Sequence, residues 1–283
     1  MKFLEPANCE TYVGLAYGVG MPEFIASHCG LVDYLEIPFE QLRASPQLAQ
    51  IQCTVPFLLH CASLSIAGFV PPEAATVDAI VKEAIRTATP WIGEHLAFVA
   101  ADGLGEDAGG HGEPISLTYT ICPQLSEATA HRVSENLATL RPLFAVPLIL
   151  ENSPQYFQVP GSTMNMVDFI NEVASGSDVS LLLDLSHFLI TARNTGVDPI
   201  RELDRLPLEK VVEVHMSGLS NQAGVSWDDH SSPAPPELFQ LLERLTHRVR
   251  PRAVTFEYNW SPDFPTSVIV NHVERARQLL EAV

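Results

Sequence analysis

Short apolar runs and helical patterns alternate along this chain. Eight β-type runs occupy residues 12–16, 32–37, 55–60, 91–97, 146–151, 179–184, 211–216 and 253–258. Most are continuously apolar and lack a polar face, as strands covered on both faces of a parallel sheet must be. Between them, apolar residues recur at helical spacing over 72–87, 126–143, 164–174, 235–249 and 268–282, several opening on a Ser or Pro start signal. Strand and helix alternating about eight times predict an α/β protein, and closing eight parallel strands into a (β/α)8 TIM barrel is the simplest arrangement. No linker or repeat divides the chain, so the expectation is one barrel domain spanning 1–283. The Gly- and Asp-rich segment 101–113 carries no period and is expected to be a long, mobile βα loop on the functional face.

The residues that end these runs carry the chemistry. VPFLLH ends in His60, IGEH in His95, PLILE in Glu151, SLLLD in Asp184, VEVH in His215 and VTFE in Glu257. His187 follows Asp184 by three residues, and Asp228 and His230 form a D-x-H pair. Singly, each reads more readily as a hydrogen-bonded structural residue than as a ligand. Jointly they resist that reading, because four carboxylates and five imidazoles gathered at one barrel end without a cation would cost several kcal/mol per uncompensated charge. The side chains at strand ends of such a barrel face one basin, so a metal centre is expected there. Nitrogen and oxygen donors without sulfur suit Zn, Mn or Fe. Cys61, beside His60, should face the opposite way by strand alternation. Glu36 is a candidate tenth inward carboxylate, and Asn152 could orient a ligand or a substrate. The histidines at 28, 111, 131, 247 and 272 read as surface residues.

Composition narrows the partners. With 34 acidic against 16 basic residues and a formal charge of −18, the chain disfavours nucleic acid, whose binding depends on Lys and Arg displacing counterions. Five scattered cysteines (Cys9, Cys29, Cys53, Cys61, Cys122) without a CxxC pair indicate neither a disulfide framework nor a thiolate zinc site, and a reducing cytoplasm is expected. The apolar runs are far shorter than the ~20 residues a membrane helix needs, so no membrane association is expected.

The ordered series His, His, Glu, Asp-x-x-His, His, Asp-x-His, Glu resembles the trinuclear site of the xylose-isomerase-like TIM barrels, which include the apurinic endonucleases. HCASLSIAG at 60–68, GEHLAF around His95, LILENSPQY around Glu151, LLLDLSHFLITARNTG around Asp184, VVEVHMSG around His215, WDDH at 227–230 and TFEYNW around Glu257 resemble, more specifically, the multinuclear non-heme iron-dependent oxidative enzymes. The resemblance covers nearly the whole chain. It implies two or three irons in mixed Fe(II)/Fe(III) valence and O2 as co-substrate. The substrate it implies is a ribosomally made precursor peptide, often modified at Cys, with a partner protein that recognises the leader and forms a heterodimer with the enzyme. Carried over by position, the metal ligands are His60, His95, Glu151, Asp184, His187, His215, Asp228, His230 and Glu257, with Asp184 and His187 part of the catalytic metal-bound centre. Many relatives carry Asn where this chain has His187, so the fuller set resembles members with a complete third metal site. Two rival readings are a zinc or manganese hydrolase or sugar isomerase on the same barrel, and a non-catalytic metal-binding protein.

Overall fold

A computed structural model describes residues 10–18, 20–28, 30–42, 48–52, 54–104, 111–260 and 264–282. Eight strands close into a parallel barrel: β1 (Tyr12–Ala16), β2 (Tyr34–Pro38), β3 (Phe57–Cys61), β4 (Ile92–His95), β7 (Leu148–Glu151), β8 (Ser180–Asp184), β9 (Val211–Ser217) and β12 (Ala253–Glu257). They are neighbours in that order, and β12 returns to pair with β1. All eight coincide with runs read from the sequence.

The helices are α1 (Met21–Ser27), α2 (Phe39–Leu42), α3 (Leu48–Gln52), α4 (Ala74–Thr87), α5 (Glu127–Leu140), α6 (Met166–Ser177), α7 (Leu185–Thr195), α8 (Pro199–Leu203), α9 (Pro236–Thr246) and α10 (Thr266–Glu281). None of them is long and apolar enough to cross a membrane. Each of the five predicted helical patterns is met by one of them. The sequence reading passed over α7, because a helix that follows SLLLD without a break and is buried from Leu185 to Ala192 shows no polar face.

Two small antiparallel ribbons project from the C-terminal side. β5 (Phe98–Leu104) pairs with β6 (His111–Ile121), and β10 (Leu219–Gln222) pairs with β11 (Val225–Asp228). The first corrects the expected irregular loop at 101–113: residues 101–104 and 111–113 are strand, and 105–110 lie outside the described residues. Its signal was present in ISLTYTI, where Ile115, Leu117, Tyr119 and Ile121 alternate with Ser and Thr as in a half-exposed strand. The second ribbon turns at Ala223 and Gly224, both with positive φ (53° and 83°), the geometry tight hairpins require.

Two apolar clusters result. The larger fills the layer between strands and helices, and the smaller consists of Tyr34, Leu58, Trp91, Ile149, Leu182 and Ala253. The smaller one is the barrel's inner plug, because Leu58, Ile149 and Leu182 each stand two residues before His60, Glu151 and Asp184 on the same strand face. The strands thus lead from an apolar floor to a polar rim.

Candidate metal centre

All nine predicted side chains meet above that floor. Among the described residues four sets have ligand atoms within 4.8 Å of one another, and three of them account for all nine: His60, His95 and Glu151; Glu151, Asp184, His215 and Glu257; and His187, Asp228 and His230; the fourth joins Glu36 to His60 and His215. Glu151 belongs to the first two. Its Oε2 lies 3.3 Å from His60 Nε2 and 3.2 Å from His95 Nε2, and its Oε1 lies 3.5 Å from His215 Nδ1. The third set joins the others through His187, whose Nδ1 is 3.7 Å from Asp184, and through His230, whose Nε2 is 3.9 Å from Glu257.

Local structure places each group. Asp184 ends β8 and also caps α7, where its Oδ1 accepts from the His187 amide at 2.7 Å, so one residue fixes both partners of the D-x-x-H word. Asp228 ends β11, held by a hydrogen bond from Ser217 Oγ at 3.0 Å. That ribbon is in turn anchored by Asn194, which bonds both the amide and the carbonyl of Ser226. His230 adopts a left-handed backbone with φ of 51°, uncommon outside glycine and typical of functional sites. At β4, Gly93 is required because a Cβ there would stand 2.4 Å from His60 Nδ1. Asn152 orients the rim: its side chain bridges the backbone of Asp184 in both directions at 3.0 and 2.9 Å, and its carbonyl accepts from His187 Nδ1 at 2.9 Å.

The electrostatics are those of a cage that pairs its own charges. Burial disfavours the imidazolium of His60, yet the adjoining Glu151 and Glu36 raise its pKa to about 10. His230 is likewise opposed by burial but carried to about 9 by Asp228 and Glu257. Burial pushes Asp184 up to about 6 against the pull of His187. For Glu257 burial is outweighed, and His215 and His230 bring it down to about 2.

A metal fits this arrangement. Glu151 Oε2, Asp184 Oδ2, His215 Nδ1 and His230 Nε2 are buried polar atoms without hydrogen-bond partners. Such atoms are costly unless something else binds their lone pairs. Among the described residues no sulfur enters the cage. Cys61 turns away to Glu94 at 3.1 Å, and burial raises the Cys122 thiol at the rim to about 12, which keeps it protonated.

Sequence reasoning missed a layer beneath the cage. Glu213, buried, accepts from Trp91 Nε1 at 2.7 Å and from Thr255 Oγ1 at 2.9 Å, and Thr255 also bonds Tyr34 OH at 2.7 Å. The signal was available, since Glu213 stands two residues before His215 on one strand and so shares its face. Glu94, also buried and unremarked, accepts from the amides of Leu64 and His95 at 3.0 and 2.9 Å and fixes the turn after β3. Of the histidines read as surface residues, His131 and His247 are exposed and His28 is half-buried against Phe24. The side chain of His111 lies outside the described residues. His272 corrects the expectation: it is partly buried against Phe239 and Phe256, and its Nδ1 accepts from Tyr258 OH at 2.5 Å.

Above the cage opens a cavity of about 320 Å3, lined by His95, Glu151, His187, Asp228, His230 and Glu257 below and by Ile121, Cys122, Tyr156 and Phe157 at its rim. Tyr156 stacks on Trp227 with ring centroids 4.3 Å apart.

A parallel barrel whose strand ends converge on a histidine–carboxylate cage defines a class of metal-dependent enzymes. The chain belongs to the MbnB/TglH/ChrH family of RiPP precursor modification enzymes, whose family model matches residues 12–281. Among its relatives are UPF0276 proteins, one from Pseudomonas aeruginosa (27% identical over 257 residues, 88% of this chain and 84% of that one) and one from Acaryochloris marina (26% over 219 residues, 77% and 75%). Solved structures with the same fold include 3-keto-D-glucoside 4-epimerase from E. coli (TM-score 0.62, 16% identity, 95% of this chain and 100% of that one). A second is a xylose isomerase domain containing protein from Salmonella typhimurium (TM-score 0.60, 15% identity, 97% and 99%). At these identities the likeness is one of fold, the xylose-isomerase-like TIM barrel.

Proposed function

We propose that this protein is an iron- and O2-dependent oxidase that modifies a residue, Cys in our reading, of a ribosomally made precursor peptide presented by a leader-recognising partner protein. It acts as a single barrel domain in the cytoplasm. The observation that carries this reading is the convergence of nine nitrogen and oxygen donors in three contiguous sets that open onto one cavity, in a chain whose family modifies such precursors.

His60, His95 and Glu151 would hold one ion, Glu151, Asp184, His215 and Glu257 a second, and His187, Asp228 and His230 a third. Bound there, iron supplies electron transfer to dioxygen, which side chains alone cannot perform. The chain's own residues do the rest. The Glu151 carboxylate, common to the first two sets, would contribute to both positions. Asn152 and Asp184 hold His187 from both its ring and its backbone. Tyr156, Phe157 and Ile121 give the cavity an apolar rim that displaces water from an entering side chain and strengthens the electrostatics within. A protein that only sequesters metal has no need of a cavity above its ligands.

The test is co-expression of this protein with a candidate precursor, with and without the partner, in aerobic iron-replete cells, followed by mass spectrometry of the peptide. A mass change that requires iron, oxygen and an intact cage is expected. Turnover with zinc or manganese and no oxygen uptake would instead favour a hydrolase or isomerase, and an unchanged peptide in every combination would remove the oxidase reading.

A further inference from the structure

Three of the five cage histidines are anchored through their outer ring nitrogen, in two different ways. His95 and His187 present Nε2 to the cage, and each anchors its Nδ1 on a backbone carbonyl, that of Cys61 at 3.3 Å and that of Asn152 at 2.9 Å. His60 also presents Nε2, with Nδ1 lying over Gly93. His215 is reversed. Its Nδ1 faces the cage, 3.5 Å from Glu151 and 3.4 Å from Glu257, and has no hydrogen-bond partner, while its Nε2 points down into the barrel and meets Glu36 Oε2 at 2.8 Å.

Of these anchors only the one beneath His215 is a carboxylate side chain. It is also expensive: Glu36 is 2% exposed, inside a barrel floor that an apolar residue would fill at lower cost. Glu213 lies beside it, 3.7 Å from the same Nε2, clamped by Trp91 and Thr255. A carboxylate that accepts the outer ring proton of a metal-binding histidine fixes its tautomer and orientation and makes the inner nitrogen a stronger donor.

We propose that Glu36 is the positioning residue of the centre. By accepting the Nε2 proton of His215 it commits Nδ1 to the metal shared with Glu151, Asp184 and Glu257, and the Glu213–Trp91–Thr255–Tyr34 network holds Glu36 and His215 in register. The inference rests on the metal reading above.

The test compares wild-type protein with Glu36→Gln and Glu36→Leu. Readouts are circular dichroism of the metal-free forms, metal per chain after anaerobic loading with Fe(II) or with Zn(II), and long-range 1H–15N NMR of the histidine rings in the zinc-loaded form. The wild type is expected to show one histidine protonated at Nε2 and bound through Nδ1. Glu36→Leu should fold, lose one metal equivalent and lose that ring signature. Glu36→Gln, whose amide oxygen still accepts the proton, should retain the equivalent with at least tenfold weaker binding. Full loading and an unchanged ring signal in Glu36→Leu would overturn the proposal. So would loss of the metal in Glu36→Gln to the same extent as in Glu36→Leu, which would make Glu36 a ligand itself. Wild-type protein that binds no metal would instead overturn the reading on which the proposal stands.

Discussion

Gly93 shows how narrowly a single position can constrain the centre. The His60 ring lies against its α-carbon, and a methyl group there would also come within 3.1 Å of Leu182 Cδ1. Gly93→Ala should therefore tilt His60 away from Glu151 and His95 and lower occupancy of the set those three form. Overpacking of this kind costs about 1–3 kcal/mol, so urea denaturation of the metal-free variant should show a loss in that range. Metal analysis should show a deficit that Leu182→Ala partly restores, because removing that side chain frees one of the two obstructing contacts. Six of the nine rim residues were legible because each ends an apolar run, and His187, Asp228 and His230 because they follow in D-x-x-H and D-x-H spacing. Glu36, Glu94 and Glu213 were harder to read, as they sit within such runs, where a carboxylate looks like an interruption of the strand and its partners, 30 to 179 residues away, are set by the barrel's closure.

Among the secondary elements, the β8–α7 junction would couple folding to the proposed metal centre through Asp184, which is both a rim carboxylate and the α7 cap. Two substitutions separate the roles. Asp184→Asn can still cap the helix, and so should keep the thermal stability of the metal-free protein while weakening metal binding. Asp184→Ala should lose both, with about 0.5–2 kcal/mol attributable to the cap; equal destabilisation by the two variants, read by thermal melts, would argue against a capping role. The barrel strands and the long helices could be read from sequence because periodicity is a local property. The two ribbons could not be read as readily. β6 opens on Gly-rich chain, and β10–β11 is only four residues a side, so its pairing depends on Asn194 from a neighbouring helix.

Across the whole molecule, pH should act on the metal-free and metal-bound forms in opposite directions. His60 and His230 have pKa values raised to about 10 and about 9, above an unfolded value near 6.5. Their stabilising contribution to the metal-free protein is fully present below pH ~6.5 and fades as the pH rises through 9 to 10. Metal binding must displace those same protons, so its affinity rises across that window. The increase in melting temperature on adding Zn(II) should therefore be larger at pH 8.5 than at pH 6.5, and calorimetry in two buffers of different ionisation enthalpy should register proton release. A constant or shrinking increment would mean that the cage does not hold protons in the absence of metal.

The apolar plug of Tyr34, Leu58, Trp91, Ile149, Leu182 and Ala253, each at most 2% exposed, makes the barrel a vessel with a closed bottom. Whatever reacts in it must come and go through the aromatic rim. The chamber above the cage, at about 320 Å3, lies at the small end of the roughly 300–1,000 Å3 range of ligand pockets. A folded domain cannot enter so small a space, and a polypeptide can lower only a tip or a side chain into it. On the function proposed above, depth of insertion, rather than recognition of a long sequence by the barrel, would decide which atom reacts, and the choice of which chain to insert would fall to surfaces outside the vessel.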